Sequence, residues 1–532
     1  MRLPATLAAF TFALAAFCAP AQDTRLPDIG SSAAELLTPA RQAEYGSMML
    51  SQLRHYDLVL EDPLIEDWLQ SVGHRLAAAS DKPEQSFTFF MLRDRQFNAF
   101  ATLGGYVGTN AGLVLNAESE DEVAGVLSHE VAHVTQSHTL RAVERARKDS
   151  MPILLAMLGA IAVAQSSGGN SSDDASMAAL YSAQALIQQR QLDYSRDNES
   201  EADRLGIQTL SRAGYDVDAM ASMFTRMQSI SRVNRGGERE RAPDYLSTHP
   251  VTVTRISEAK ARADEIHKRA PAIGSGGRDA GMTAMGGGNP LLPAHLGVAP
   301  PNRGGDSLAF GWARERIRVF SANTAEQAAE EYERVRRSKA LTDAQRYGLA
   351  IARQRNGEYA ASIRELEPLL AKHPDDAWLA ISIAESEARL GQTAAADARL
   401  DAQLKRMPDH RPTALTFARL LSERNDPASG RRAQAVLRPL AANAKDDPVF
   451  QQTFARACEV AGDPVRAGEA HAEAEYLNGR PERALIQLNT LLRRDDLDYY
   501  ARSRIEARVA AITPTVLELR DQGVRDDELG RH

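Results

Sequence analysis

The sequence predicts a mostly helical α+β chain in two parts: an N-terminal domain with a small β-sheet, then an all-α solenoid of helical repeats. Three observations predict it. Aromatics are 6% of the 532 residues and alanine is abundant, a balance that favours helix over strand. The chain up to residue 270 mixes helical periodicity with an alternating, aromatic-rich run, Ser86 to Leu92 (SFTFFML). After residue 305 the pattern is helical and repeats itself. Gly357 and Gly391 stand 34 residues apart, and so do Pro374 and Pro408.

The first 21 residues read as an export signal. Arg2 is the charged start, Leu7 to Phe17 is an apolar stretch, and Ala19-Pro20-Ala21 offers a cleavage site before Gln22. The stretch falls short of the roughly 20 apolar residues a membrane span needs. A lipid-anchor reading centred on Cys18 is disfavoured by the bulky Phe17, and an uncleaved N-terminal anchor is the other alternative. Cleavage after Ala21 leaves Cys458 as the remaining cysteine, so the exported chain is expected to fold without an internal disulfide. A formal net charge of −8 argues against a nucleic-acid partner.

The elements follow in order. Pro39 to Arg54 and Pro63 to Ala79 read as amphipathic helices, and Ser86 to Leu92 as a strand. Phe97 to Leu103, Gly104-Gly105 and Tyr106 to Gly108 read as a hairpin. Glu118 to His138 reads as one helix, with Ser119 and Glu122 spaced as a capping box and Glu120 and Asp121 at its positive end. Ile153 to Ala164 is strongly apolar; at 12 residues it reads as a buried or groove-covering helix rather than a membrane-touching one. Asp197 to Gly214 reads as a helix with Ala202, Leu205, Gly206, Thr209 and Ala213 on its packing face. Residues 271–305, rich in glycine and proline, read as a linker. Beyond it, "RNGEYAASIRELEPLLAKHPDD" aligns with "RLGQTAAADARLDAQLKRMPDH", and weaker copies lie near Asn425-Asp426, Gly462-Asp463 and Gly479-Arg480. A 34-residue period of this kind predicts stacked tetratricopeptide-type helix pairs with a concave face; a non-repeating helical bundle is the alternative. The expected division is 1–21 signal, 22–270 first domain, 271–305 linker and 306–532 repeats.

Chemistry concentrates in "LSHEVAHVTQSH", Leu127 to His138. Residues four apart share a helix face, so His129 and His133 can place two imidazole nitrogens on one zinc ion. Glu130 follows the first histidine and can reach the open metal position as a base. Val123, Val126, Leu127, Val131 and Val134 form the apolar stripe that buries this helix. His138 would fall about 140° around an unbroken helix from His133 and reads as a neighbour, not a ligand. A third ligand must come from elsewhere. The helix from Asp197 offers Glu199 and Asp203, four apart on one face; one can ligate, the other can hydrogen-bond a ligand or the reacting group.

H-E-x-x-H, a helix bearing E-x-E-A-D-R some sixty residues on, and the T-H-P loop in "LSTHPVTVTR" together resemble the HtpX-like gluzincin metallopeptidases. The likeness covers nearly all of the chain beyond the signal; it departs in the long linker and the divergent later repeats. It implies a zincin-type metalloprotease domain with one Zn2+ per subunit, ligated by His129, His133 and Glu199, with Glu130 as general base. It assigns Asp203 as a proton donor or a partner of a ligand, the latter being preferred because aspartates commonly orient metal-bound histidines. It places His249 on a mobile loop as a regulatory or fourth ligand able to hold the enzyme latent, with Arg255 supporting. The hairpin near Asn98 to Gly108 resembles the edge strand on which such peptidases lay an extended substrate. With an export signal and repeats, the resemblance implies a periplasmic zinc metalloendopeptidase in the quality control and assembly of outer-membrane β-barrel proteins. Misassembled barrel proteins would be its substrates, and the β-barrel assembly machinery would be met through the repeats. A peripheral membrane contact stays open. The alternative function is a chaperone-like assembly or binding factor with a latent or structural zinc site.

Overall fold

The computed structural model describes residues 38–142, 144, 195–234, 249–269 and 307–521. The expected export signal, the apolar run Ile153 to Ala164 and the linker 271–305 lie outside the described residues.

Two helices started by proline come first. α1 (Pro39–His55) begins at Thr38, whose hydroxyl accepts from Arg41 N, and α2 (Pro63–Ala78) at Asp62, whose carboxylate accepts from Ile65 N. Proline suits the first turn because the N–H it lacks would have no partner there. Strand β1 (Thr88–Leu92) starts two residues later than the alternation suggests. β2 (Ala99–Ala101) and β3 (Tyr106–Asn110) form the expected hairpin, joined through a short 3-10 turn at Leu103–Gly105. The sheet order is β1-β3-β2, with β1 parallel and β2 antiparallel to β3. The outer edge of β1 is covered: Leu60 N donates to Met91 O at 2.8 Å and the Gln70 amide to Phe89 O at 2.7 Å. On β2 the ladder bonds Thr102 to Tyr106 and Asn98 to Asn110. Alternation therefore turns the main-chain groups of Ala99 and Ala101 outward, to a side that no described strand covers.

After α3 (Ala111–Asn116) comes α4 (Glu120–Thr135), then α5 (residues 195–212), α6 (Asp218–Asn234) and α7 (Val253–Arg269). Ser119 caps α4 through Glu122 N, but the expected capping box closes differently. Glu122 accepts from Glu118 N at 2.7 Å rather than from Ser119 N, while Arg226 holds the same carboxylate at 3.2 and 3.3 Å. The expected helix to His138 is also corrected: α4 stops at Thr135, Ser137 takes φ 55° in a turn, and residues 138–142 are helical again. The valine and leucine stripe of α4 packs with Ala99, Val107, Met220, Met223 and Phe224 in one buried core.

The C-terminal part is a succession of helices, each packed on the next: α8 (Leu308–Phe320), α9 (Ala325–Ser338), α10 (Asp343–Arg355), α11 (Tyr359–Lys372), α12 (Ala377–Arg389), α13 (Thr393–Arg406), α14 (Arg411–Ser422), α15 (Pro427–Leu437), α16 (Pro448–Ala461), α17 (Pro464–Leu477), α18 (Pro481–Leu492) and α19 (Tyr499–Asp521). Asp426-Pro427, Asp447-Pro448 and Asp463-Pro464 each set a capping carboxylate before a first-turn proline. Gly357 and Gly391 follow α10 and α12 with φ 80° and 77° and open space around the missing Cβ, so the left-handed turn itself calls for glycine. Asn425, a further 34 residues on, takes the same left-handed turn at φ 56°. The next one, Gly462, comes 37 residues later, after a 3-10 turn at Arg438–Leu440 is inserted, which is where the period drifts. No described helix is long and apolar enough to cross a membrane.

The two parts share a core at their junction. Phe310, Ala313 and Ile317 of α8 belong to the same buried cluster as α2 and α4. Asp62, at the head of α2, receives the buried Arg316 guanidinium in two bonds of 2.9 and 2.7 Å. Arg411 of α14 meets Glu66 of α2 at 2.8 Å. Removing one partner of a buried pair strands the other charge, at about 3–5 kcal/mol. Asp62→Ala is therefore expected to lower unfolding free energy by about 3 kcal/mol or more in urea titrations; a loss under about 1 kcal/mol would show that the pair does not hold the junction.

Candidate metal centre

α4 is buried on every side, and its polar face is covered by α5 and by the start of α7. His129 and Glu130 are 0% and 1% exposed. Such burial needs a close helix approach, and Gly206 of α5 provides it: a Cβ there would lie 3.1 Å from both Cα and N of His129. Glu199 and Asp203 point from the same face of α5 toward α4, as the four-residue spacing requires.

His129 Nε2 and His133 Nε2 are 3.0 Å apart. Glu199 reaches across from α5, with Oε2 3.4 Å from His129 Nε2 and Oε1 3.4 Å from His133 Nε2. His249 closes the group: its Nδ1 is 2.7 Å from Glu199 Oε1 and 3.5 Å from His129 Nε2. One donor atom from each of these four residues lies within 4.8 Å of the others. Glu130 sits beside them without joining the set; its Oε1 is 4.0 Å from His249 Nε2 and is buried with no hydrogen-bond partner.

Behind the group, Asp203 Oδ1 lies 2.9 Å from His129 Nδ1. Arg255 of α7 donates to both Asp203 oxygens at 2.7 Å, and its Nη1 lies 2.8 Å from Glu199 Oε2. The same guanidinium donates to Pro250 O at 3.1 Å and lies over the Phe224 ring, so the segment carrying His249 is tied to the carboxylates. Every residue that the sequence singled out for the site, His129, Glu130, His133, Glu199, Asp203, His249 and Arg255, is brought into this one place. The sequence reading missed the surroundings of His133. His138, set aside there, has its Nδ1 2.8 Å from His133 Nδ1 and its Nε2 3.1 Å from Glu201 Oε2. The available signal was Glu201, the second glutamate of E-x-E-A-D-R.

The electrostatics suit a cation. Burial opposes charge on His129, but Glu199 and Asp203 outweigh it and carry its pKa up to about 10. Burial drives His133 down to about 3, and His129 adds to this effect. Burial likewise opposes the carboxylates, yet the three histidines hold Glu199 far below its ordinary range. His129 and Arg255 bring Asp203 down to about 2. Three carboxylates, Glu130, Glu199 and Asp203, thus share a buried space with the Arg255 guanidinium and the His129 imidazole. A divalent cation among His129, His133 and Glu199 would offset this buried negative charge.

Residues 63–263 match the profile of peptidase family M48, a span that contains every residue of the cluster. A β-barrel assembly-enhancing protease of Yersinia pestis is 28% identical over 494 residues, covering 92% of each chain. A Vibrio cholerae protein provisionally given the same name is 39% identical over 254 residues, 47% of this chain and half of that protein. Mitochondrial metalloendopeptidase OMA1 of Schizosaccharomyces pombe is 28% identical over 214 residues, 40% of this chain and 55% of that one.

Ligation needs a neutral His129, and the Glu199 and Asp203 carboxylates raise the pKa of this histidine, whereas burial lowers that of His133. Metal binding at pH 7 is therefore expected to release about one proton, with affinity rising about tenfold per pH unit from 6 to 8. Calorimetry in buffers of different ionisation enthalpy measures the release; none at all would contradict the charge balance described.

Proposed function

We propose, for a chain that carries a peptidase family M48 domain over residues 63–263 and is a metalloendopeptidase, that the cluster is its catalytic zinc centre. One observation carries the reading: the donor atoms of His129, His133 and Glu199 converge beside a glutamate whose buried Oε1 has no partner. The donor set of two imidazoles and a carboxylate fits zinc, and three protein ligands leave a position for chemistry. When bound, zinc acts as a Lewis acid that polarises a carbonyl and acidifies a neighbouring water. Glu130 takes a proton at Oε1 and returns it to the leaving amine nitrogen, which is why it stands beside the ligands rather than among them. Asp203 and Arg255 fix the orientation of His129. The outward groups of Ala99 and Ala101 offer an extended substrate a strand edge against α4.

His249 acts as a latch. A fourth protein donor takes up the position that catalysis needs, so the site is held latent while His249 stays against Glu199 and is freed when it swings away. Its 2.7 Å approach to Glu199 supports this. The helical stack from α8 onward serves as a tetratricopeptide-type solenoid; the 34-residue recurrence of left-handed turns at Gly357, Gly391 and Asn425 supports that assignment. Its role is to receive client proteins and the β-barrel assembly machinery, while the peptidase domain removes barrel proteins that fail to assemble. The work is placed in the periplasm, after export and cleavage behind Ala21. Likeness along 92% of the chain to a protein named for enhancing β-barrel assembly supports this. The latched geometry also favours a second reading, an assembly factor that holds clients and cuts rarely.

Zinc content and casein cleavage of wild type, Glu130→Gln and His249→Ala, measured side by side, separate these readings. Glu130→Gln is expected to keep its zinc and lose at least about 100-fold in turnover; cleavage that survives it would remove Glu130 from the chemistry. His249→Ala is expected to cut casein several-fold faster, by roughly 1 kcal/mol of latch energy released. Equal or slower cutting with zinc intact would count against the latch. Assembly support that survives Glu130→Gln unchanged would favour the binding role.

A further inference from the structure

The structure assigns His138 as the positioning residue for metal ligand His133, through a relay that ends on Glu201 and Arg141. The inference rests on the metal-centre reading above and adds residues to which that reading gives no part. His133 turns Nε2 toward His129 and Glu199, so a metal in the cluster takes that nitrogen. Its Nδ1 then carries the hydrogen. The atom facing Nδ1 at 2.8 Å is His138 Nδ1, which must accept. An imidazole that accepts at Nδ1 keeps its hydrogen on Nε2, and His138 Nε2 is 3.1 Å from Glu201 Oε2, an acceptor. Arg141 Nη2 donates to the same oxygen at 2.9 Å. Each donor and acceptor in the row is thereby fixed once the metal is in place.

The backbone is bent to make this contact. On a continuous helix His138 would face well away from His133. Instead α4 ends at Thr135, and Ser137 adopts φ 55°, a left-handed conformation that is uncommon outside glycine. Ser137 N bonds back to Val134 O at 2.9 Å, and Ser137 O accepts from Arg141 N at 2.9 Å. The same kinked residue thus closes α4, starts the next turn and sets Arg141. Held in this way, His138 is buried at 3% exposure with its ring edge-on to His133, centroids 4.7 Å apart. The two metal histidines therefore have matching supports: His129 has a carboxylate and an arginine directly behind it, and His133 has the same pair one imidazole further away. α5 supplies both carboxylates, Asp203 and Glu201, from positions two apart.

The test is zinc affinity, measured by competition with a chelator on the full chain, with thermal melting of each metal-free protein alongside. His138→Ala is expected to weaken zinc binding about 10- to 100-fold. His138→Asn, whose Oδ1 can take the place of Nδ1 as acceptor, is expected to stay within about threefold of wild type. Glu201→Ala, which removes the acceptor at a partly exposed position, is expected to lose about three- to tenfold. Equal zinc affinity in His138→Ala and wild type would overturn the assignment. So would a loss in His138→Asn as large as in His138→Ala, which would mark a packing role. Should His138→Ala not fold, Glu201→Ala decides: unchanged affinity there overturns the relay. A wild type that binds no zinc sinks the metal centre itself and the relay with it, a result distinct from selective loss in the variants.

Discussion

The buried pair of Asp203 and Arg255 is the contact on which the rest of the site depends. It joins α5 to α7 through two bonds of 2.7 Å, and it sets the carboxylate that backs His129. Without the guanidinium, Glu199 and Asp203 would repel one another across a few ångströms of low-dielectric interior. With it, three elements distant in sequence can bring acidic groups to one point. The remaining negative charge is what gives a divalent cation its hold. The fold thus accepts a local electrostatic penalty in the metal-free chain and relieves it on loading, the coupling expected of sites whose ligands must shed protons to bind.

The same guanidinium reaches Pro250 O, next to His249. The histidine that closes the cluster and the aspartate beside His129 therefore share one anchor. A movement that released the His249 segment would disturb Arg255 and with it the charge balance at Asp203 and Glu199. On the proposed latch, latency and metal hold are linked through this one side chain. The junction with the helical stack is built on similar terms: α2 offers Asp62 and Glu66, and the stack answers with Arg316 and Arg411. α2 also packs against α4 and β1, so the stack grips the element next to both the metal helix and the sheet.

The site was legible in the sequence wherever its geometry is local. His129, Glu130 and His133 need only the helical repeat, and Glu199 and Asp203 share a face for the same reason. Their meeting was carried by the family likeness, since no spacing rule joins residue 133 to 199 or 203 to 255. His138 was misplaced because "HVTQSH" contains no glycine or proline to announce a helix end; the kink depends on Ser137 entering a conformation that its type rarely adopts. The exchange of partners at Glu122 was hidden for a like reason, since Arg226 lies 104 residues away. In the helical stack, Gly357 and Gly391 showed the period openly. Asn425 continues it in structure although it breaks the glycine pattern, because asparagine tolerates the same left-handed turn.

The central claim is that His129, His133 and Glu199 hold one catalytic zinc ion. Anomalous diffraction at the zinc edge from crystals of the full chain tests it most directly. The account predicts a single strong peak per chain among these three residues, with nitrogen and oxygen ligands at about 2.0–2.1 Å and Glu130 outside the ligand set. A peak elsewhere, such as at the exposed group Asp216, Asp218 and His267, with none at His129, would contradict it.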